Sequence, residues 1–305
     1  MATQTRQGIR SGRSRILLQF LLLALTWGAS FLFVAVALDG LSPAQVVLGR
    51  LVTGAVALAL ICLIGRHPLP AFGRVWAHLL VVSLLLCVVP FLLFAWAQQG
   101  ISSGLASIYN ATTPLMTMLI SLIALRNERP TRDRMIGIAV GFLGVLVVLG
   151  PWSGLGGGTA LAQLACLGAT ASYGAAFVYL RRFVSPLSLD AIPVATVQVG
   201  LGAVVMLALA PMIATTPASL TAPVIVAVLA LGALGTGLAY VWNTNIVSAW
   251  GATNASTVTY LTPVVGVMLG VIVLAEQVSW NEPVGAVVVI VGIAITQGRI
   301  RLRRR

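Results

Sequence analysis

The sequence predicts an all-α integral membrane protein: ten transmembrane helices, arranged as two inverted five-helix repeats around a central cavity. Three observations predict it. Of 305 residues, 59% are hydrophobic and only 8% are charged, with a mean hydropathy of +1.04. Soluble domains are about a quarter charged, so this chain has no water-facing shell to match its apolar content. The arginines fall in alternate loops. The second half of the chain repeats the first at a nearly constant offset.

Ten apolar runs are long enough to be spans, each needing about 20 residues. They cover 16–38, 43–64, 75–98, 103–125, 135–150, 159–180, 190–212, 222–246, 252–275 and 283–298, the fifth and tenth being short. Each is assigned as helix, because a segment crossing lipid must satisfy its own backbone. The arginine-rich start and Ala35-Val-Ala37 resemble a signal peptide, but the apolar run is long and holds Trp27 and Gly28, so it is read as the first span.

All 18 basic residues are Arg, and with six acids the net charge is +12. Seventeen of the 18 lie in the N-terminal tail 1–15, in the loops after spans two, four and six, and in the C-terminal tail 299–305. The other loops, including linker 151–158, hold none. A missed span would scramble this pattern. By the positive-inside rule both termini of this multi-pass chain face the cytoplasm. No aromatic-interleaved basic face suggests nucleic acid, so the partners expected are the bilayer and a small solute. Cys62, Cys87 and Cys166 are isolated, which gives neither disulfide nor metal site, and no cofactor motif is present. Asn110-Ala-Thr and Asn254-Ala-Ser fit a glycosylation pattern but fall inside spans.

The repeat joins residues 16–150 to 159–298. Thr113-Pro114 recurs as Thr262-Pro263, Glu128 as Glu276, Gly144 as Gly292, and Gly150 as Gly298. RLVTGAV (50–56) falls on QVGLGAV (198–204), and Trp27-Gly28 on Tyr173-Gly174. Five spans per half is odd, so the second copy enters from the opposite side. Inverted repeats of this kind recur in transporters, with the site near the midplane between the halves.

The polar stretch NASTVTYLTPVVG (254–266) acquires a reason in this frame. Ser103, Ser107, Asn110, Pro114, Thr117 and Ser121 form one helical stripe; Ala252, Ser256, Thr259, Pro263, Gly266 and Gly270 repeat it. For the small residues, close helix packing and a cavity wall remain equal readings. The substrate-binding candidates are Trp27, Ser30, Trp96, Gln99, Tyr109, Asn110, Tyr173, Tyr240 and Tyr260, because a polar-tipped aromatic offers an apolar wall and a hydrogen bond together. Arg50 lies roughly 10 Å inside span two. An intramembrane charge can gate or bind a carboxylate, or it can snorkel or pair with Asp39. His78, Pro114 and Pro263 are the other gating or hinge candidates. Apart from Asp190 at the first position of span seven, no Asp or Glu lies within a predicted span, so no carboxylate relay is expected.

LTWGASF (25–31), Pro43 with Arg50, ISSGLASIYNATTPLM followed by NERPTRDRMIGIAVGFLGVLVV, and GATNASTVTYLTPVVGVMLGVIVLAEQVSWNEPVGAVVVIVGIAI resemble the drug/metabolite transporter superfamily, EamA type. NERP is a departure, a bare Glu being commoner there. The resemblance implies a ten-helix inner-membrane exporter working by alternating access, as a monomer or weak homodimer. Within the superfamily it is similar to the YddG-like bacterial amino-acid exporters, which implies amino acids, including aromatic or apolar ones, as substrates. Two other expectations compete: a broad drug or metabolite exporter, and a non-transporting membrane scaffold whose polar faces would pack dry. A cavity between the repeats separates the last from the rest.

Overall fold

A computed structural model describes residues 2–124, 131–150, 157–250, 255 and 257–300. They form ten helices: α1 (Ala2–Leu38), α2 (Pro43–Ile64), α3 (Arg74–Ala97), α4 (Ser103–Ala124), α5 (Arg132–Leu149), α6 (Gly157–Tyr179), α7 (Ala191–Ile213), α8 (Ala222–Trp250), α9 (Val258–Leu274) and α10 (Asn281–Thr296). Seven of them (α1–α4 and α6–α8) are long and apolar enough to cross a membrane, while α9 and α10 are shorter apolar helices. The outer surface is aliphatic, with Leu63, Ile64 and Ile272 more than two-thirds exposed, as lipid contact requires. Glu128, Ala252, Asn254 and Ser256 lie outside the described residues.

Several boundaries have local causes. Ser42 caps α2: its hydroxyl accepts from the Gln45 N–H, and the Gln45 side chain accepts from the Ser42 N–H, with Pro43 filling the first turn where no donor is needed. Helix α4 breaks at Ala111-Thr112 and resumes at Thr113. Pro114 has no N–H for the Asn110 carbonyl, and the Thr113 hydroxyl donates to that oxygen instead, at 2.7 Å. Pro263, its repeat mate, stays inside an unbroken α9. Gly150 and Gly298, also mates, are the two described glycines with left-handed φ, 56° and 71°, ending α5 and following α10.

The packing maps onto itself when the halves are exchanged. Helix α1 packs on α9 as α6 packs on α4; α2 packs on α8 as α7 packs on α3. Helices α2 and α7, α4 and α9, and α5 and α10 each pack on their own mates. With short connections and an odd number of helices per half, this is a two-repeat membrane bundle with the second copy inverted.

Glycines set the closest approaches. A Cβ on Gly28 would lie 2.5 Å from Val265 Cβ and 2.9 Å from the Thr262 carbonyl; one on Gly174 would lie 2.8 Å from the Thr117 nitrogen and 2.9 Å from the Met116 carbonyl carbon. Val265 and Met116 are repeat mates, so this is one contact made twice. Between α5 and α10, a Cβ on Gly144 would meet the Gly285 carbonyl at 2.9 Å, and one on Gly137 the Gly292 carbonyl at 2.7 Å. Two backbones therefore touch along a small-residue seam.

This seam gives a stability test. Gly292→Ala places a methyl against the Gly141 backbone and should lower the melting temperature in detergent, since overpacking costs about 1–3 kcal/mol. Gly200→Ala, on α7 with nothing within 4 Å, should leave it unchanged or raise it. Tryptophan fluorescence against temperature measures both.

Candidate functional site

A cavity of about 690 Å³ lies between the repeats. Its wall comes mainly from α1, α3, α4, α6, α8 and α9, with Arg50 from α2, Arg134 from α5, and Thr296 and Gln297 from the end of α10. Repeat mates line it in pairs: Trp27 and Tyr173, Asn110 and Thr259, Thr113 and Thr262. Trp27 and Tyr173 each immediately precede the glycine that brings its helix against α9 or α4, so the close contact delivers the ring to the wall.

At depth, the Arg50 guanidinium carbon lies over the Phe91 ring, 3.7 Å from its centroid, and its Nε donates to Thr236 Oγ1 at 3.3 Å. The Arg50 mate is Gln198, whose amide nitrogen donates to Cys87 Sγ at 3.3 Å and to the Tyr240 hydroxyl at 3.4 Å. Thr236 lies 149 residues after Cys87, and Tyr240 149 residues after Phe91. One arrangement is thus built twice, charged in one copy and neutral in the other. Wide π-helical turns at Leu84–Val88 in α3 and Ala230–Leu238 in α8 accompany it, at equivalent positions. Such turns rotate the following residues relative to an ideal helix and recur at functional sites.

The arginine-poor end is tied shut across the halves. The Gln45 amide donates to the carbonyls of Ala214 and Thr216 at 3.2 and 2.7 Å, and the Ser219 N–H donates to the Gly40 carbonyl at 2.8 Å. Glu276, beyond α9, accepts from the N–H groups of Ser103 at 2.7 Å and Gly104 at 3.0 Å, capping α4 with a charge at its positive end. The Asn281 amide donates to the carbonyls of Val147 and Val148 at the end of α5. The cavity runs the other way, to Arg134, Arg181 and Gln297 at the arginine-rich helix ends.

Of the candidates read from the sequence, Trp27, Ser30, Asn110, Tyr173 and Tyr240 line this wall, with Arg50 and Pro114. Four binding candidates lie elsewhere. Tyr109 is fully buried, its hydroxyl donating to Gln163 at 3.0 Å between α4 and α6. Trp96 is 47% exposed on the outside of α3, and Gln99 is exposed beyond its end. Tyr260 reaches the wall only indirectly, through a 2.6 Å hydrogen bond from its hydroxyl to Gln297. Neighbours on a helix point about 100° apart, and here Asn110 and Thr259 turn to the cavity while Tyr109 and Tyr260 turn aside to Gln163 and Gln297. At the end of α3 it is Gln98 rather than Gln99 that reaches the wall. His78 lies apart, its Nδ1 2.8 Å from the Tyr179 hydroxyl and its ring stacked on Phe183. Pro263 is buried within α9. Asp39 does not pair with Arg50. Phe91, Gln98 and Asn243 belong to the wall and were not singled out from the sequence; aligning α3 on α8 at the 149-residue offset would have placed Phe91 opposite Tyr240.

The EamA-like transporter family profile matches residues 14–150 and, a second time, 160–297. The chain belongs to the EamA-like transporter family. It is 26% identical over 281 residues to the uncharacterized transporter YoaV of Bacillus subtilis, covering 92% of this chain and 95% of that one. It is 28% identical over 283 residues to the uncharacterized inner membrane transporter YedA of Escherichia coli K12, covering 91% and 89%. A crystal structure at 18% identity superposes with a TM-score of 0.65 over 93% of this chain and 98% of the other, a likeness of fold. This transporter membership gives the cavity its meaning; the relatives' names carry no substrate, so the YddG-like branch is not reached by them.

Accessibility tests the geometry. In a background lacking Cys62, Cys87 and Cys166, a cysteine replacing Asn110 should react with a small aqueous thiol reagent, and one replacing Tyr109 should not. Reaction at 109 with silence at 110 would mean that α4 is rotated from the orientation described. Glu276→Ala removes the acceptor for the Ser103 and Gly104 N–H groups and leaves only the Ser102 hydroxyl, which accepts from the Leu105 N–H, to cap α4; the loss is worth about 1 kcal/mol or somewhat more for a charge. A cysteine at Ser103, 1% exposed, should then become reactive from the arginine-poor side.

Proposed function

We propose that this transporter exports amino acids, including aromatic and apolar ones, from the cytoplasm by alternating access, with the arginine-rich end and both termini cytoplasmic. The reading is carried by the wall of the central cavity. Its volume lies within the range of about 300–1,000 Å³ usual for small-molecule sites. Trp27, Phe91, Phe94, Tyr173 and Tyr240 supply an apolar surface, and Asn110, Thr113, Gln98 and Arg50 supply convergent polar groups. An amino acid needs both. The arginine segregation supports the orientation. A cavity that opens toward that end and is tied shut at the other fits a carrier waiting for solute from the cytoplasm.

A cavity between the repeats also weighs against a scaffold, whose polar faces would be packed. Broad drug export is the second reading, favoured by the aromatic wall; it is weakened by the absence of any acid among the described lining residues, since cationic drugs call for one.

Counterflow in proteoliposomes tests the proposal. Vesicles preloaded with unlabelled L-phenylalanine or L-leucine should accumulate the labelled compound above protein-free vesicles, and Asn110→Ala or Tyr173→Ala should lower the rate several-fold. No exchange of any amino acid by folded wild-type protein would reject the substrate class.

A further inference from the structure

We propose that Arg50 anchors a substrate carboxylate, so that the cavity selects solutes bearing an anionic group and excludes simple amines. The inference rests on the transport reading and narrows its substrate class. Three independent observations lead to it.

The first is charge. The charged side chains in the described wall are Arg50, Arg134 and Arg181, with no Asp or Glu among them. Arg134 and Arg181 stand at the mouth and Arg50 at depth. Low-dielectric walls focus the field of a deep charge such as Arg50, drawing anions inward and repelling cations.

The second is the geometry of Arg50. The guanidinium carbon sits over the Phe91 ring, and the Thr236 hydroxyl takes Nε. No described carboxylate pairs with it, and no described side chain or carbonyl accepts from its two Nη groups. That leaves the paired Nη edge, the part of the fork that binds a carboxylate bidentately. Tyr173 and Tyr240 lie within electrostatic reach of the guanidinium, as does Cys87. Gln98, also in the wall, has both amide atoms buried without a partner. A charge this far inside a membrane protein is costly unless something compensates it. One Arg among neutral neighbours suits a single carboxylate better than a doubly charged phosphate.

The third is the broken symmetry. At the mate position Gln198 makes the corresponding contacts, to Cys87 and Tyr240, without a charge. The fold therefore accommodates a neutral side chain in this arrangement. The positive charge in the first repeat is not needed to hold α2 against α3 and α8, and a ligand is left to account for it.

Matched compounds separate acid from amine recognition. Purified wild-type protein in detergent is titrated with L-phenylalanine, phenylacetate and phenethylamine, and with L-leucine, isovalerate and isoamylamine, following the melting temperature. The acids and amino acids should raise it and the amines should not. Arg50→Gln should weaken acid binding roughly 10- to 100-fold, the range expected for losing a charged hydrogen-bonding partner. Arg50→Lys, which keeps the charge and loses the fork, should retain the acid-over-amine preference with reduced affinity, and it remains informative if the Gln variant does not fold. Amines binding as well as acids, undiminished acid binding in folded Arg50→Gln, or no response to any acid would each overturn the proposal. Counterflow with the same compounds distinguishes the two readings. Exchange that persists unchanged in Arg50→Gln removes the anchor and leaves transport standing; Arg50-dependent binding without exchange removes transport and leaves the anchor.

Discussion

Gly28 against the Val265 side chain and the Thr262 carbonyl, and Gly174 against the backbone of Met116 and Thr117, bring α1 onto α9 and α6 onto α4 with no side chain of their own at the contact. The rest of the site depends on this doubled contact. In lipid the hydrophobic effect does not drive helices together, so close packing through small residues supplies much of the association. Here it also aims side chains. Trp27 and Tyr173 precede the two glycines by one residue, so seating the glycine turns each ring into the space between the halves. The same contact lies beside the Thr-Pro pairs of α4 and α9. There the backbone is short of a donor at each Pro: Thr113 sends its hydroxyl to the Asn110 carbonyl that Pro114 leaves without one, and Thr262 sends its hydroxyl to the Val258 carbonyl one residue before the position Pro263 leaves open.

On the proposed alternating access, inverted duplication offers the bundle a second way to close, the mate of the one described. The Glu276 cap on α4 and the Gln45 and Asn281 contacts hold the arginine-poor end. Glu128, the Glu276 mate, stands in the corresponding loop of the first repeat, outside the described residues. The duplication is imperfect where chemistry needs it to be. Arg50 and Gln198 occupy mated positions with mated partners, and only one carries charge. Packing is shared between the repeats, and charge is assigned to one.

The fold was largely legible because its determinants are periodic or repeated. Apolar runs gave the spans, arginine placement supported their number, the 149-residue offset of Thr-Pro gave the repeat, and five spans per half gave the inversion. The site was legible only in part. Reading α4 as one polar stripe placed Asn110 correctly on the wall, but Tyr109, its neighbour, was added for its hydroxyl and instead turns toward Gln163. The same step added Tyr260 beside Thr259 and chose Gln99 over Gln98. Which of two neighbours faces inward depends on rotation about the helix axis. That rotation is set by distant contacts such as Gly174 on Thr117, and no local pattern records it. The π turns in α3 and α8 add a further offset, which places Phe91 beneath Arg50 and leaves Trp96 outside.

The central claim is that two mated halves exchange which end is open. Spin labels on the matched ends of α1 and α6 measure this directly, one pair at positions 15 and 182 on the arginine-rich side and one at 39 and 159 on the other. Double electron–electron resonance should show the first distance shortening and the second lengthening together when saturating L-phenylalanine is added. Distances that stay fixed, or that change in the same direction at both ends, would contradict the account.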